Sequence, residues 1–418
     1  MNGLSEDIYA AALLKVPGVG RGFLFELKTH FGSYRSAWDA DPVEWLDVPG
    51  ATGGLKTRFE ELKNSFDIDT FSAELRERNI FLLSVDSPDY PDALAQISSP
   101  PPVLYCIGNR SCLLPDKISI VGTRKASTYG KETARRLGME IADLGLAVVS
   151  GMALGIDSSA HEGALEAGGL TIAVLGCGVD VVYPEEHRNL YTRIIEKGLV
   201  VSELPPGSPP LRENFPDRNR IIAGLSMATV VVEAPLNSGA LITARFANDE
   251  GRTVFAVPGN VTSANFKGCH KLIKEGAKLI EDADDIVTEL GVSKFELLKK
   301  QREKFQRQLF VESEPALTAN EQEAPKGTAL STAKRSTSTV SPRSRKDRAK
   351  PLAESVTEKK LAEEEVALLN ELSYSDGIHI NDLARKLKLS IAELSARLTL
   401  LEIKGLVKSL PGGFYLRL

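Results

Sequence analysis

Two arginines and an asparagine stand together in the segment ENFPDRNRIIAGLS, which begins at Glu213. Arg218 and Arg220 carry fixed positive charge for phosphates, and Asn219 can donate a hydrogen bond to a phosphate or to a base edge. Phe215, three residues before Arg218, offers an aromatic face on which a base can stack. The formal net charge of the chain is -5, so these arginines do not follow from a general basic bias. The segment therefore predicts a local contact with nucleic acid.

Two of these side chains also have simple structural interpretations. Phe215 can pack as a hydrophobic staple at the start of a helix. Arg220 can form a salt bridge with Glu233 or Asp217. Arg212, three residues before Phe215, adds a further positive charge to the same stretch. This local concentration of charge favours the nucleic-acid interpretation.

Six short apolar runs alternate with amphipathic segments in the middle of the chain. The runs are KISIVGT, LAVVSG, TIAVLGCG, LVVSE, ATVVVEA and TVFAVPG. Continuous apolar strands separated by helices are buried on both faces, which is typical of a parallel sheet with right-handed crossovers. The sequence therefore predicts an α/β protein with a Rossmann-like, doubly wound parallel sheet.

Glycine-bearing loops follow nearly every predicted strand. They read GTRKAST, SGMALGID, GCGVD, SELPPG, APLNSGALIT and VPGN. Ligands of open parallel sheets bind at the carboxyl ends of the strands, and helix N-termini there present unpaired N–H groups to anions. We therefore expect a row of phosphates along this edge, where Arg124 of the first loop supplies another fixed charge.

Nucleotide cofactors and catalysis have less support. The loop from Gly122 to Lys125 does not follow the GxGxxG pattern, and no GxxxxGK[ST] loop occurs. Ser150, Cys177 and His161 are candidate nucleophiles and base, but no GxSxG motif accompanies them. The cysteines and histidines show no metal-binding spacing. We expect a protein that is not an enzyme and that needs neither metal nor cofactor.

The composition predicts four segments. Residues 1–75 carry helix-like patterns broken by Pro-Gly turns and resemble a helix-hairpin-helix or SAM-like domain. Residues 76–295 contain the Rossmann-like core. Residues 296–355 are rich in Ser, Thr, Ala and Pro with many basic side chains, which predicts a disordered linker. Residues 356–418 resemble a winged helix that ends in a hairpin at PGG.

The terminal segments leave their partners open. The Pro-Gly turns of the first segment can expose N–H groups to a phosphate or can simply connect helices. The basic linker can hold nucleic acid loosely or can serve solubility. The predicted recognition helix, Ser390 to Ile403, offers Arg397 as its basic side chain, with Lys404 just after it. Contact with a protein partner or with a second copy is therefore at least as well supported as contact with DNA.

The N-terminus shows no basic stretch followed by a long apolar one, and no apolar segment is long enough to span a bilayer. We expect a soluble, cytoplasmic protein without membrane insertion.

The core motifs together resemble the DNA-processing protein A family, also called Smf. They are VGTRKASTYG, VVSGMALGIDSSAHEGAL, TIAVLGCGVDVVYPEEHRNLY, SELPPG, FPDRNRIIAGLS, VVVEAPLNSGALITARFANDEGRTVFAVPGN and GCHKLIKEGAKLI, in this order. The resemblance implies a non-enzymatic single-stranded DNA-binding protein of natural transformation. It also implies a homodimer formed through the core, protection of incoming DNA, and loading of the RecA recombinase for homologous recombination.

The resemblance also implies a set of DNA-binding residues. They are Arg124, Ser150, Gly151, Arg212, Phe215, Arg218, Asn219, Arg220, Ser238, Gly239 and Thr243. Ser238, Gly239 and Thr243 would act as backbone and hydroxyl donors. One position departs from the family pattern, because Leu154 stands where a basic residue is usual in the loop SGMALGID. Phosphate contact from this loop is then expected to depend on backbone N–H groups alone.

Two other hypotheses remain. One is a Rossmann-like nucleotide-binding or nucleotide-hydrolysing enzyme of the lysine-decarboxylase-like type, which would need a PGGxGT loop that APLNSGALIT does not supply. The other is a regulator that binds double-stranded DNA through the winged helix, against which stands the low positive charge of the predicted recognition helix.

Overall fold

The computed structural model describes residues 4–292 and part of the C-terminal segment. The described C-terminal positions are Leu368, Ile378–His379, Leu383, Ala384, Lys386, Leu394, Leu398, Leu401, Val407–Leu410 and Phe414–Arg417. The chain forms two compact units, Met1–Asn320 and Glu321–Leu418. The predicted linker, residues 296–355, lies outside the described residues.

The N-terminal part is helical, as the sequence predicts. Its helices are α1 (Glu6–Leu13), α2 (Arg21–Phe31), α3 (Tyr34–Asp39), α4 (Gly53–Ser65) and α5 (Ile68–Glu77), with a 3-10 helix at Glu44–Asp47. Trp45 stacks on Phe59 in their core, with ring centroids 3.8 Å apart. The same apolar cluster continues into Leu190 and Val200 of the following α/β region, so the two parts share one core.

Nine strands form the main sheet. They are β1 (Phe81–Ser84), β2 (Val103–Gly108), β3 (Lys117–Val121), β4 (Ala147–Ser150), β5 (Thr171–Val174), β6 (Leu199–Ser202), β7 (Ala228–Val231), β8 (Thr253–Ala256) and β9 (Lys278–Leu279). Their order is β1-β2-β6-β5-β4-β3-β7-β8-β9. The strands from β6 to β9 in this order are parallel, whereas β2 is antiparallel to β6 and β1 is antiparallel to β2. The predicted parallel sheet is confirmed.

Helices connect the strands and cover both faces of the sheet. They are α6 (Asp92–Ala95), α7 (Thr128–Asp143), α8 (Ile156–Glu166), α9 (Arg188–Lys197), α10 (Asn214–Gly224), α11 (Ala240–Asp249), α12 (Lys267–Lys274) and α13 (Ala283–Glu289), with 3-10 helices at Arg110–Leu113, Glu185–His187 and Ala264–Phe266. On β4, Val148 packs in the cluster that contains Leu137 of α7, while Val149 packs in the cluster that contains Ile221 of α10. Neighbouring residues of a strand face opposite sides, so the sheet is doubly wound, as predicted.

Three strands were not predicted from the sequence. β1 and β2 add an antiparallel edge beyond β6, and β9 adds two exposed residues beyond β8. The segment KL of β9 is too short to appear as an apolar run in the sequence. It is a strand because it pairs with β8. Among the described residues, no helix is both long and apolar enough to cross a membrane.

In the C-terminal unit, the described strands are β10 (Ile378–His379), β11 (Val407–Leu410) and β12 (Phe414–Arg417). β11 pairs antiparallel with β12, with Leu410 opposite Phe414. This pairing confirms the hairpin predicted around PGG. Leu394, Leu398 and Leu401 are buried in the small core of this unit, whereas Arg397 and Lys404 lie outside the described residues.

Candidate nucleic-acid interface

The candidate site lies where the winding of the sheet changes direction. From β3 the chain moves through β4 and β5 to β6 on one side, and then returns beside β3 as β7 and continues to β8 and β9. Ligands of open α/β sheets bind at such a point, outside the carboxyl ends of the strands. We call this region the carboxyl edge, defined by the loops that follow β3, β4, β5, β6 and β7.

A cavity of about 330 Å³ opens at the carboxyl edge between the loop after β3 and the starts of α10 and α11. Seven of the predicted site residues line it: Arg124, Phe215, Arg218, Asn219, Ser238, Gly239 and Thr243. The folded chain therefore brings together residues that are more than a hundred positions apart in the sequence. Of the other four predicted residues, Gly151 lines a smaller neighbouring cleft together with Arg124 and Phe215.

Arg218 is buried rather than exposed, which differs from the expectation. Its Nη1 donates hydrogen bonds to the carbonyl oxygens of Gly151, at 2.9 Å, and of Val174. Burial lowers the pKa of Arg218 to about 10, with the nearby Asp157 acting in the opposite direction. The guanidinium therefore stays charged at neutral pH. It ties the loop after β4 to the end of β5, at the wall of the cavity.

The loop after β4 is closed by Asp157. The carboxylate of Asp157 accepts hydrogen bonds from the N–H groups of Gly151 (3.1 Å) and Ala153 (3.4 Å). Burial raises the pKa of Asp157, while the charge of Arg218 lowers it. The N–H of Gly151 is therefore bonded to Asp157 and its carbonyl to Arg218, and phosphate contact through the other backbone N–H groups of this loop stays a prediction.

The hydroxyl of Ser150 is also unavailable. Ser150 is fully buried, and its Oγ donates to the carbonyl oxygen of Ile120 at 2.6 Å. Thr243 is buried at the wall of the cavity with 1% of its surface exposed. Ser150 is the last residue of β4 and Thr243 belongs to the first turns of α11, and both side chains are buried rather than exposed.

Arg220 forms an ion pair with Glu203, the residue that follows β6, in which one guanidinium nitrogen donates to both carboxylate oxygens. Its Nη2 lies 2.7 Å from one carboxylate oxygen and 2.6 Å from the other. A salt bridge was the structural alternative for Arg220, but its partner is Glu203 and not Glu233 or Asp217. The carboxylate of Glu233 is fully buried and accepts instead from the N–H and the hydroxyl of Ser127 at the start of α7. The charge of Arg220 is therefore neutralised next to the site.

Two arginines remain free at the carboxyl edge. Arg124 and Arg212 are exposed, and neither takes part in an ion pair with any residue that the structure describes. The guanidinium carbon of Arg124 lies 5.3 Å from the ring centroid of Phe215. Lys125 is exposed beside Arg124 and is likewise unpaired within the described part. Lys125 is not among the residues that the sequence predicts for the site, although its position next to Arg124 in the motif GTRK could have indicated it.

The start of α11 contributes polar backbone groups. Gly239 is exposed, and no atom lies within 4 Å of the place that a Cβ would occupy there. Ser238 Oγ accepts from the N–H of Ala240 at 3.3 Å, and Asn219 Nδ2 donates to the carbonyl of Gly239 at 3.4 Å. Asn219 therefore joins α10 to α11, and the open approach at Gly239 leaves room for a ligand.

The candidate catalytic residues are built into the core. Burial raises the pKa of the Cys177 thiol to about 11 and lowers the pKa of His161 to about 3. His161 Nδ1 lies 2.7 Å from Thr171 Oγ1, and the hydroxyl of Ser150 is bonded to backbone. Across residues 4–292, these three groups form no nucleophile–base pair. The described residues also contain no cluster of three His, Cys, Asp or Glu side chains suited to a metal ion.

Comparison with known proteins identifies relatives of the whole core. The family model for DNA recombination-mediator protein A matches residues 81–291, and the model for the DprA winged helix domain matches residues 352–413. Protein Smf of Synechocystis sp. is 41% identical over 292 residues, which are 69% of this chain and 73% of that protein. The DNA processing protein DprA of Streptococcus pneumoniae is 45% identical over 202 residues, 48% of this chain and 71% of that protein.

A solved structure agrees with the sequence matches. The crystal structure of DNA processing protein A from Streptococcus pneumoniae superposes with a TM-score of 0.61 at 35% identity, covering 68% of this chain and 98% of that one. Since the family model spans half of the chain and the relatives are matched over most of their length, the chain belongs to the family of DNA recombination-mediator protein A, the DprA/Smf family.

Proposed function

We propose that this protein binds single-stranded DNA along its carboxyl edge, protects incoming DNA in natural transformation and helps to load the RecA recombinase. The observation that carries the proposal is the pairing pattern of the cations. Arg218 and Arg220 are engaged with the protein, whereas Arg124 and Arg212 are exposed and unpaired within the described residues, and Arg124 lies beside the ring of Phe215. Free cations next to an available aromatic ring suit a backbone whose bases are not paired.

We assign different roles to the predicted residues, supported by their exposure and their contacts. Arg124 and Arg212 contact phosphates, Phe215 contacts a base, and Asn219, Ser238 and Gly239 provide polar groups at the start of α11. Ser150, Gly151, Arg218 and Arg220 hold the loops in place through their hydrogen bonds, and Thr243 forms part of the cavity wall. This arrangement is non-catalytic, and the family match favours it over the nucleotide-hydrolysing alternative.

A RecA partner, a homodimer and a cytoplasmic location complete the proposal and come from the family resemblance. For RecA, the measurement is the rate at which RecA displaces a single-strand-binding protein from a long single strand, with and without this protein. We expect acceleration. An unchanged rate would remove RecA loading from the proposal while leaving DNA binding in place.

DNA binding itself is tested by fluorescence anisotropy with single-stranded and double-stranded oligonucleotides over a salt series. We expect a preference for single strands and a steep loss of affinity with salt, because bound phosphates release counterions. Replacing Arg124 and Arg212 together by Ala should weaken binding by about tenfold or more at low salt. Arg76→Ala is the matched control, since Arg76 is exposed on α5 and unpaired among described residues. Equal affinity for both DNA forms, or normal binding by the double variant, would contradict the proposal.

A further inference from the structure

A single buried residue bonds to both ends of the loop after β3. Glu233 lies two residues after β7 and has none of its surface exposed. Its backbone carbonyl accepts from the N–H of Thr123 at 2.7 Å, where the loop begins. Its carboxylate accepts from the N–H of Ser127 at 3.1 Å and from the hydroxyl of Ser127 at 2.7 Å, where the loop ends. We call residues 123–127 the cation loop.

The partners of the Glu233 carboxylate are all hydrogen-bond donors. Besides the two groups of Ser127, Asn265 donates from Nδ2 to Oε1 at 2.5 Å. A carboxylate only accepts hydrogen bonds, whereas the NH2 group of a glutamine would face one of these partners donor to donor. Ser127 is also the N-cap of α7, so the negative charge lies where the helix dipole stabilises it. The surroundings of Glu233 therefore match a charged carboxylate.

The cation loop is enclosed by protein on two sides. Beneath it, the first turn of α7 approaches so closely that a Cβ on Gly130 would overlap Oε2 of Glu233. The loop after β4 packs against it as well, since a Cβ on Gly155 would come within 2.5 Å of the carbonyl oxygen of Thr123. The backbone of the cation loop is therefore fixed, while the side chain of Arg124 is exposed.

Order in the cation loop has a consequence for phosphate binding. Both cations of the loop, Arg124 and Lys125, are exposed at the carboxyl edge. Fixing the backbone of one residue costs a factor of about 5–30 in an equilibrium constant. A loop that is ordered before a ligand arrives does not lose this factor when it binds.

We propose that Glu233 is a positioning residue for DNA binding, which fixes the cation loop so that Arg124 and Lys125 are placed to contact phosphates. This inference rests on the proposed binding of single-stranded DNA. Glu233 acts through the loop, because its side chain is buried. Electrostatics alone would give the opposite effect, since removing a negative charge near two cations strengthens their attraction for phosphate. The direction of the change in affinity therefore separates positioning from charge.

The first test measures the cation loop without DNA. Trypsin cleaves after arginine and lysine, so cleavage at Arg124 and Lys125 reports on opening of the loop itself. We expect Glu233→Gln to speed cleavage at these two sites by about five- to thirtyfold relative to other sites, because proteolysis follows the population of the open form. An unchanged cleavage rate at both sites would overturn the proposal.

The second test measures binding of a thymidine oligonucleotide by fluorescence anisotropy over a salt series. Glu233→Gln should weaken binding by about five- to thirtyfold, with an unchanged salt slope because the same cations meet the phosphates. In a protein that carries Arg124→Ala and Lys125→Ala, the same substitution should have no further effect, because the two changes act through one contact. Tighter binding by Glu233→Gln, or an equal loss in both backgrounds, would overturn positioning.

Glu250→Gln is the matched control for a lost carboxylate. Glu250 accepts from the N–H of Ser98 at 3.0 Å and from its hydroxyl at 2.6 Å, which are the same two kinds of contact. It lies between α11 and the start of β8, at the amino end of that strand. We therefore expect Glu250→Gln to change neither DNA affinity nor cleavage at the cation loop.

Ser127→Ala is a milder variant that keeps the test decisive if Glu233→Gln does not fold. It removes the hydroxyl contact to Glu233 and should show both changes in smaller size, and its normal behaviour in both assays would overturn the proposal. If the unsubstituted protein binds no DNA, the proposed function fails and this inference with it. If DNA binds normally and Glu233→Gln changes neither assay, this inference alone fails.

Discussion

The guanidinium of Arg218 lies directly against Gly151, at the place where any other residue would carry a Cβ. A Cβ built on Gly151 would stand 2.5 Å from Nη2 and 2.6 Å from Nη1 of Arg218. The same guanidinium donates to the Gly151 carbonyl at 2.9 Å. Glycine at this position is therefore required by a protein side chain, and close approach of a ligand is not the reason for it.

This contact predicts the effect of Gly151→Ala. The added methyl group displaces a charged group that is buried and hydrogen-bonded, so repacking alone does not relieve the clash. We expect the free energy of unfolding to fall by about 1–3 kcal/mol, as for other overpacked sites. Affinity for single-stranded DNA should fall as well, because the displaced guanidinium no longer ties the loop after β4 to β5. Urea denaturation and anisotropy measure the two effects.

Gly239→Ala is the matched comparison for stability. Its Cβ would meet no atom within 4 Å, and its φ of -59° is available to alanine. We expect its unfolding free energy to stay within about 0.5 kcal/mol of the unsubstituted protein. A Gly151→Ala variant that is as stable as Gly239→Ala would show that Arg218 has room to move and that the contact is not a constraint.

The ion pair between Arg220 and Glu203 predicts that Arg220 stabilises the fold, whereas the unpaired Arg124 binds a phosphate. Arg220→Ala leaves the partly buried Glu203 without its partner, so we expect the protein to lose about 1–3 kcal/mol of stability. The slope of log affinity against log salt should stay unchanged, because the charge of Arg220 is already neutralised. Arg124→Ala should do the reverse, keeping stability and lowering the slope by about 0.7, the value for one phosphate of a single strand.

One result for these two variants would contradict the prediction. If Arg220→Ala lowers the salt slope as much as Arg124→Ala does, Arg220 leaves Glu203 when DNA binds and contacts a phosphate directly. The double variant Arg220→Ala with Glu203→Ala provides the internal check. It removes both charges and should recover part of the stability lost in Arg220→Ala.

The sequence predicted the sheet and the location of the site better than it predicted which side chains are buried and which groups they bond. Apolar runs identify β3 to β8 because burial on both faces requires continuous apolar residues. The carboxyl edge then follows from parallel topology. The acceptors of Arg218, however, are carbonyl groups 67 and 44 residues earlier in the chain. No local pattern connects a buried arginine with such distant backbone atoms.

The glycines after the strands show the same dependence on distant contacts. Glycine-bearing loops predict close approach of a ligand, and Gly239 fits this expectation because no atom lies within 4 Å of the place of a Cβ. Gly122 instead packs against Ile156, and Gly176 packs against Phe215. A glycine required by a neighbouring side chain and a glycine required by a ligand look identical in a sequence, because both reflect only the missing Cβ.

His161 predicts how stability depends on pH. Burial lowers its pKa to about 3 in the folded protein, below the usual value of 6.5. A proton therefore binds the unfolded chain but not the folded one between these values, and the stabilisation present above pH 6.5 is lost as pH falls toward 3. His161 should contribute a loss of about 1.4 kcal/mol per pH unit below 6.5. Urea denaturation between pH 7.5 and 5 measures the total slope, to which other groups also contribute.

His161→Gln isolates this contribution. The hydroxyl of Thr171 donates to the Val148 carbonyl at 3.0 Å, so Thr171 accepts from the Nδ1–H of His161, and the neutral ring is the form that fits. An amide has no charged form in this range, so the variant's stability should depend less on pH than that of the unsubstituted protein. His30→Gln, at an exposed position, should retain the full dependence. Identical pH slopes for all three proteins would mean that His161 takes up its proton in the folded state, which its complete burial between its own helix α8 and the residue Thr171 of β5 argues against.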